Sequence, residues 1–107
     1  MNQLSPGDLA RRLREGWTPL LLDVRQPEEH ALAALPGSQL IPLGELPARA
    51  EELLDWEDQD IVVYCHHGLR SQHAIAHLAA AGFRRLHNLR GGIDRWSMEV
   101  DPSVPRY

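Results

Sequence analysis

The chain has 107 residues, 43% hydrophobic and 24% charged, which suits one domain with a useful core and is too short for two. Its net charge of -4 argues against general nucleic-acid binding, and no apolar run approaches the roughly 20 residues that span a bilayer. All eleven basic residues are arginine, which excludes lysine chemistry such as a Schiff base or a Walker A phosphate loop.

The N-terminus and the cysteine content predict a compartment. Residues 1–16 follow a polar, amphipathic pattern without the apolar stretch of a secretory signal. Cys65 is the only cysteine, so no internal disulfide can form. We therefore predict a cytoplasmic location, where thiols stay reduced.

The first predicted elements are a helix and a strand. Ser5 is a typical N-cap, Pro6 suits the first helical position, and Gly16 predicts the end of this helix. Residues 19–24, PLLLDV, form a continuous apolar run, as expected for a strand that is covered on both faces.

The middle of the chain predicts two more helices around a short strand. Pro27 and two following acids begin a helix that the Pro-Gly pair at 36–37 ends. Residues 38–43 predict a short strand, and residues 45–56 a helix whose exposed face carries most of an acidic block.

The second half repeats the alternation of strand and helix. Residues 60–65, DIVVYC, are the strongest strand in the sequence. Residues 71–82 predict a helix, 83–89 a strand and 91–97 a last short helix, before a proline-containing tail at 98–107. This order predicts an α/β fold with a mainly parallel sheet of four or five strands.

The loop after the strongest strand carries the candidate chemistry. In open parallel sheets, ligands bind beyond the carboxyl ends of the strands, and Cys65 lies at that point. Gly68 permits a turn whose backbone N–H groups can face inward, and a helix begins at about Ser71. Together with Arg70, these groups favour the charged thiolate, which is the nucleophilic form of cysteine.

Two plainer interpretations of this loop compete with the nucleophile. A lone cysteine is most often a small buried hydrophobic residue, although a strand end, a glycine loop and a helix start favour catalysis. Cys65 and the histidines at 66, 67, 73 and 77 suggest a metal site. No second cysteine or carboxylate cluster completes a tetrahedral set, so we predict no metal.

Four segments in order resemble the single-domain rhodaneses, a family of sulfurtransferases. The segments are LLDVRQPEEH, LPGSQLIPL, YCHHGLRS and GFRRLHNLRGGIDRW, and the matches extend over about residues 4–97. The resemblance implies a three-layer rhodanese-like fold, with helices on both faces of a mainly parallel sheet of four to five strands. We expect one rhodanese-like domain over residues 1–107, with residues 98–107 as its tail.

The resemblance also implies an activity. Cys65 would take a sulfane sulfur from a small anionic donor such as thiosulfate, become a persulfide, and pass the sulfur to cyanide, a thiol or a protein acceptor. No cofactor is implied. The residues expected to bind substrate are those of the loop: His66, His67, Gly68, Leu69, Arg70 and Ser71.

The length of the loop between Cys65 and Arg70 helps to distinguish sulfur transfer from other activities of this fold. Phosphatases of the same fold, and arsenate reductases with the same enlarged loop, place five residues between cysteine and arginine, whereas this chain has four, HHGL. The smaller ring of amides favours one sulfur atom over a phosphate. The alternative is a rhodanese-fold module that carries sulfur to a partner protein, or only binds one, with little turnover on small donors.

Asp23 and Arg25 are candidate supporting residues. They end the strand predicted to neighbour the Cys65 strand, so they are expected near the loop, where Arg25 could attract anions. It is at least as consistent with the sequence that Asp23 accepts backbone N–H groups in its own turn.

Overall fold

Five parallel strands form the centre of the computed structural model, which describes residues 2–107. The strands are β1 (Asn2–Leu4), β2 (Leu20–Asp23), β3 (Gln39–Leu40), β4 (Asp60–Tyr64) and β5 (Arg85–Leu89). The helices are α1 (Pro6–Arg14), α2 (Pro27–Leu32), α3 (Leu46–Arg49), α4 (Arg70–Ala80) and α5 (Gly92–Glu99). The strand order is β1-β5-β4-β2-β3, so β4 is central, between β5 and β2.

Both faces of the sheet are covered. Along β4, Ile61 and Val63 contribute to one buried apolar cluster, and Val62 and Tyr64 to the other. Helices α3 and α4 supply side chains to the first cluster, and α1 and α5 to the second. The alternation of side chains in a strand explains why β4 is apolar from Ile61 to Tyr64, and the predicted three-layer α/β fold is confirmed.

Strand β1 was not among the strands predicted from the sequence. It has three residues, two of them exposed, and this leaves no alternating pattern to detect. Its place is fixed by parallel pairing with residues 87–89 of β5, a contact between opposite ends of the chain.

The helix predicted over residues 45–56 is wrong as a continuous element. A 3-10 turn at Leu43–Glu45 leads into the short α3, and a second 3-10 segment follows at Ala50–Trp56. Pro47 has no backbone N–H and restricts the residue before it, which interrupts a helix that would run through it. In α3 and the segment after it only Leu46 and Leu53 are buried, so little packing favours a regular α-helix.

Other boundaries also differ from the expected ones. The strand expected over residues 38–43 is only Gln39–Leu40, because Leu43 already belongs to the 3-10 turn. Helix α2 ends at Leu32, before the Pro-Gly pair, because Ala33 is extended and its carbonyl accepts a hydrogen bond from Arg25 at 2.6 Å. Helix α5 continues to Glu99, into the expected tail. Among residues 2–107, no helix has the length and apolar character needed to cross a membrane.

Candidate active site around Cys65

Cys65 follows the last residue of the central strand β4, at the carboxyl edge of the sheet. Its neighbours in the sheet are β2 and β5, so loops from both sides can reach it. The residue is fully buried, and its thiol is free. A shallow pocket of about 240 Å³ touches Cys65 and is lined by His66, His67, Leu69 and Arg70.

Two backbone amides point at the cysteine sulfur. The N–H of Gly68 donates to Sγ at 3.1 Å, and the N–H of Ser71 donates to it at 3.4 Å. Ser71 lies in the first turn of α4, an eleven-residue helix whose positive end faces the sulfur. N–H donors and a helix N-terminus favour negative charge on sulfur, as expected from the sequence.

Gly68 has a conformation that suits glycine. Its φ of +101° is in the range that side chains rarely adopt, and a β-carbon there would come within 3.3 Å of the backbone nitrogen of Gly91. The turn that aims the Gly68 amide at sulfur therefore depends on the absence of a side chain.

The loop is also held from outside by the N-terminus of α5. The N–H of Ile93 donates to the carbonyl oxygen of Cys65 at 2.9 Å, and the N–H of Asp94 to that of His66 at 3.1 Å. Gly92 lies against the same carbonyls, with a φ of +64°. With its carbonyls bound to α5, the loop can present N–H groups, rather than oxygens, to the sulfur.

A series of side-chain hydrogen bonds links the sulfur to Gln3 in the edge strand β1. The Cys65 thiol donates to Ser71 Oγ at 3.5 Å, and Ser71 Oγ donates to Asn88 Oδ1 at 2.5 Å. Asn88 Nδ2 in turn donates to Gln3 Oε1 at 2.9 Å. Ser71 and Asn88 are buried, so these bonds are shielded from water.

Arg70 is paired across the site with Glu29 of α2. Two hydrogen bonds, at 2.8 and 2.9 Å, join the guanidinium to the carboxylate. These bonds hold the pKa of Glu29 at about 2, well below its ordinary value, although burial opposes the shift. Arg70 therefore faces the pocket as half of an ion pair rather than as a free cation.

Asp23 and Arg25 form a buried pair beside the site. Arg25 donates to both carboxylate oxygens of Asp23, at 2.9 and 2.7 Å, and both side chains are fully buried. Burial alone would lower the pKa of Arg25, but its hydrogen bonds to Asp23 and Tyr107 outweigh that effect and raise it. The Arg25 backbone N–H also donates to Asp23, the local turn contact that the sequence left open. Arg25 thus reaches the active loop through Tyr107.

Tyr107 packs against His66, one of the residues that line the pocket. Its ring stacks on His66 with centroids 3.9 Å apart, and His66 stacks on His67 at the same distance. Its hydroxyl accepts from Arg25 at 2.7 Å and donates to Glu29 at 2.9 Å. Burial, and then repulsion by His67, lowers the pKa of His66 below its ordinary value.

One group of residues has the composition of a metal site. Among residues 2–107, the potential ligand atoms of His66, His67 and Asp94 lie within 4.8 Å of one another. An imidazole binds a metal in its ring plane, whereas these two rings face each other, with an angle of 30° between their planes. Asp94 is also bound to Arg106 at 2.9 Å. The arrangement is that of an aromatic rim, and the absence of a metal stays a prediction.

The structure thus brings the six loop residues together around Cys65 and adds three that sequence reasoning missed. Asn88 lies inside a strand that was predicted only for its apolar pattern, and Tyr107 lies in the tail. Glu29 was noted only as an acid at a helix start. Its spacing from Gln26 marks a capping box, which gives no sign of a contact with Arg70.

Comparison with known proteins gives consistent matches in sequence. The model of the rhodanese-like domain family matches residues 5–99. A sulfurtransferase of Allochromatium vinosum is 36% identical over 104 residues, which cover 97% of this chain and 95% of that protein. An adenylyltransferase and sulfurtransferase of Ogataea parapolymorpha is 36% identical over 90 residues, covering 83% of this chain but only 23% of that longer protein.

Solved structures agree. A rhodanese-related protein of Thermoplasma volcanium superposes with a TM-score of 0.82 at 29% sequence identity, over 94% of each chain. The similarity therefore extends over most of the chain and is not confined to the Cys65 loop.

Proposed function

The chain belongs to the rhodanese-like domain family, and from that premise we propose that it is a sulfurtransferase that carries a sulfane sulfur on Cys65. The observation that carries this proposal is the environment of Sγ. It lies at the carboxyl end of the central strand and receives N–H groups from Gly68 and Ser71. These donors favour a thiolate, and later the anionic outer sulfur of a persulfide.

The proposed reaction has two displacements at sulfur. The Cys65 thiolate attacks the outer sulfur of a donor such as thiosulfate, forming a new S–S bond. The S–S bond of thiosulfate breaks, and its electron pair leaves with sulfite. Cyanide or a thiolate then attacks the outer sulfur of the persulfide, and the second S–S electron pair returns to Cys65 as thiolate. No proton relay and no cofactor is needed.

The loop side chains have separate proposed roles. His66, His67 and Leu69 form the rim that a donor crosses, while Gly68 and Ser71 supply the amides at sulfur. Arg70 balances anionic charge and, through Glu29, steadies the loop against α2. Asp23 and Arg25 support the site from behind. The four-residue spacing from Cys65 to Arg70 favours sulfur over the phosphate of a phosphatase.

The same proposal covers partners and location. The expected partners are a small anionic sulfur donor and a thiol, cyanide or protein acceptor, with neither nucleic acid nor membrane involved. We place this chemistry in the cytoplasm because the single cysteine must stay reduced to act.

A sulfur carrier that serves a partner protein is the second candidate function. Leu69 favours it, because this apolar side chain at the pocket rim is 71% exposed and a docked partner would cover it. The adenylyltransferase and sulfurtransferase of Ogataea parapolymorpha is consistent with this function, because there the matching region is one part of a longer protein.

Intact mass after incubation with thiosulfate tests the persulfide. We expect the protein to gain one sulfur atom, to lose it on addition of cyanide, and to gain none as Cys65→Ser. A gain that persists in Cys65→Ser would contradict the mechanism. Loading by glutathione persulfide but not by thiosulfate would favour the carrier.

A further inference from the structure

The hydrogen bonds that link Cys65, Ser71, Asn88 and Gln3 have a fixed direction. Asn88 Nδ2 donates to Gln3 Oε1, so the amide oxygen of Asn88 faces Ser71. Ser71 has a single hydroxyl hydrogen, and it is donated to that oxygen. The Ser71 oxygen can therefore only accept from the thiol of Cys65, at 3.5 Å.

This direction opposes the two backbone amides. The N–H groups of Gly68 and Ser71 favour the ionised sulfur, whereas a hydroxyl that only accepts favours the protonated thiol. For the Ser71 hydroxyl to turn and donate to a thiolate, it must leave Asn88 Oδ1. That oxygen belongs to a residue that is 1% exposed, so water cannot easily replace the lost bond.

We propose that Asn88 is a positioning residue that holds the hydroxyl hydrogen of Ser71 away from Cys65 and so limits ionisation of the thiol. Asn88 does not touch substrate; it acts through Ser71. The inference deepens the proposed sulfur transfer and rests on it for its biological meaning.

Other charged and titratable groups surround the pocket on separate elements, and none of them is part of the Ser71–Asn88 link. They are His66 and His67 of the loop, Arg70 of α4, Glu29 of α2, Asp94 of α5, and Asp23 and Arg25 at the end of β2. An experiment on Asn88 must therefore keep them unchanged, which an uncharged substitution does.

The test is the pH dependence of Cys65 alkylation by iodoacetamide. Cys65 is the only cysteine, so the mass of the alkylated protein reports on this thiol alone. Asn88→Leu has a similar volume and no acceptor, which frees the Ser71 hydroxyl to donate to sulfur. We expect the pH at half-maximal rate to fall by about half to one unit, the effect of one neutral hydrogen bond.

The double variant Ser71→Ala/Asn88→Leu separates this role from a structural one. The double variant should have the same pH midpoint as Ser71→Ala, because the Ser71 hydroxyl that connects Asn88 to the sulfur is absent from both. Ser97→Ala is the matched control, since this buried serine donates to the carbonyl of Ile93 and makes no hydrogen bond to Ser71, Asn88 or the sulfur. Its midpoint should equal that of the unmodified protein.

Gln3→Met keeps the proposal testable should Asn88→Leu fail to fold. Gln3 is exposed, and removing its oxygen frees the Asn88 amide to turn its Nδ2 toward Ser71. The midpoint should fall in the same direction. The proposal would be overturned if a folded Asn88→Leu or Gln3→Met variant kept the pH midpoint of the unmodified protein. It would also be overturned if Asn88→Leu shifted the midpoint equally in the Ser71→Ala background. Alkylation needs no sulfur donor, so a failure of the proposed function would be seen separately, by absent loading with thiosulfate.

Discussion

At Gly92 the backbone of α5 lies closer to the Cys65 loop than any side chain would permit. A β-carbon at this position would overlap the carbonyl oxygens of Cys65 and His66. Those oxygens cannot retreat without losing the N–H groups of Ile93 and Asp94. The second glycine of the GGIDRW segment is thus explained by close packing as well as by its positive φ.

Substitution of Gly92 should therefore harm both stability and the site. We expect Gly92→Ala to lower the free energy of unfolding by about 2 kcal/mol or more, since steric overlap adds to backbone strain. Gly37→Ala is the matched control: its φ is +74° and no atom lies near its β-carbon, so it should cost only about 1 kcal/mol. Urea denaturation measures both, and equal losses would contradict the role of the close approach.

Among the elements, the segment that ends in Tyr107 connects parts of the fold that are distant in sequence. The Tyr107 ring lies on His66, and its hydroxyl joins Arg25 to Glu29. Arg106 adds an ion pair with Asp94 in α5. The expected tail therefore packs against His66, which lines the pocket.

Tyr107→Ala should remove the support of the His66 ring. Alkylation of Cys65 by a bulky maleimide is expected to rise severalfold, and more than alkylation by iodoacetamide, because an unsupported His66 can move and widen the pocket. Tyr107→Phe keeps the stacked ring and should leave the ratio of the two rates unchanged. It should still lower the free energy of unfolding by about 1 kcal/mol, since Arg25 loses a hydrogen-bond partner. An unchanged ratio in Tyr107→Ala would count against a role in access.

The local pattern of apolar residues predicted an element correctly where the packing in the folded protein follows the same pattern. Residues 61–64 are all β-formers, and with Asp60 they form the central strand, which is buried on both faces. Residues 45–56 have a helical spacing, yet proline and sparse burial break the segment into turns. Strand β1 depends on pairing with β5, and no short window of sequence contains that information.

At the scale of the whole molecule, an ion pair between α2 and α4 links the two sides of the pocket. Glu29 and Arg70 are 41 residues apart and make two hydrogen bonds. Because the pKa of Glu29 is about 2 in the folded protein, the folded state binds fewer protons than the unfolded chain between about pH 4.5 and 2. The stabilisation is complete above about pH 4.5 and is lost as the pH falls toward 2.

Glu29→Gln should therefore flatten the acid limb of the stability curve. The expected change is about 1 kcal/mol of pH-dependent free energy of unfolding, the size of a partly screened ion pair. Urea denaturation at a series of acidic pH values measures it. Glu28→Gln is the control, since Glu28 is exposed and has no ion-pair partner among residues 2–107. If both variants follow the curve of the unmodified protein, the pair does not contribute as described.

The candidate site was predictable where it is contiguous in the chain. Cys65, Gly68, Arg70 and Ser71 lie within seven positions, so a strand end, a turn and a helix start place them together. Contacts to Asn88 and Tyr107 depend on the order of strands and on the course of the tail, which side-chain pattern does not encode. The boundary of one domain at residues 1–107 stays a prediction.

The N–H groups of α5 bind the carbonyl oxygens of Cys65 and His66, and this arrangement separates the geometry of the nucleophile from the shape of the pocket entrance. Main-chain atoms, fixed by a neighbouring helix, set the geometry around the sulfur. The side chains at 66, 67 and 69 line the pocket instead, although His67 also lies 3.8 Å from the carboxylate of Asp94 in α5. The entrance can therefore be rebuilt for a different donor by exchanging those side chains, while the chemistry at the nucleophile is inherited unchanged.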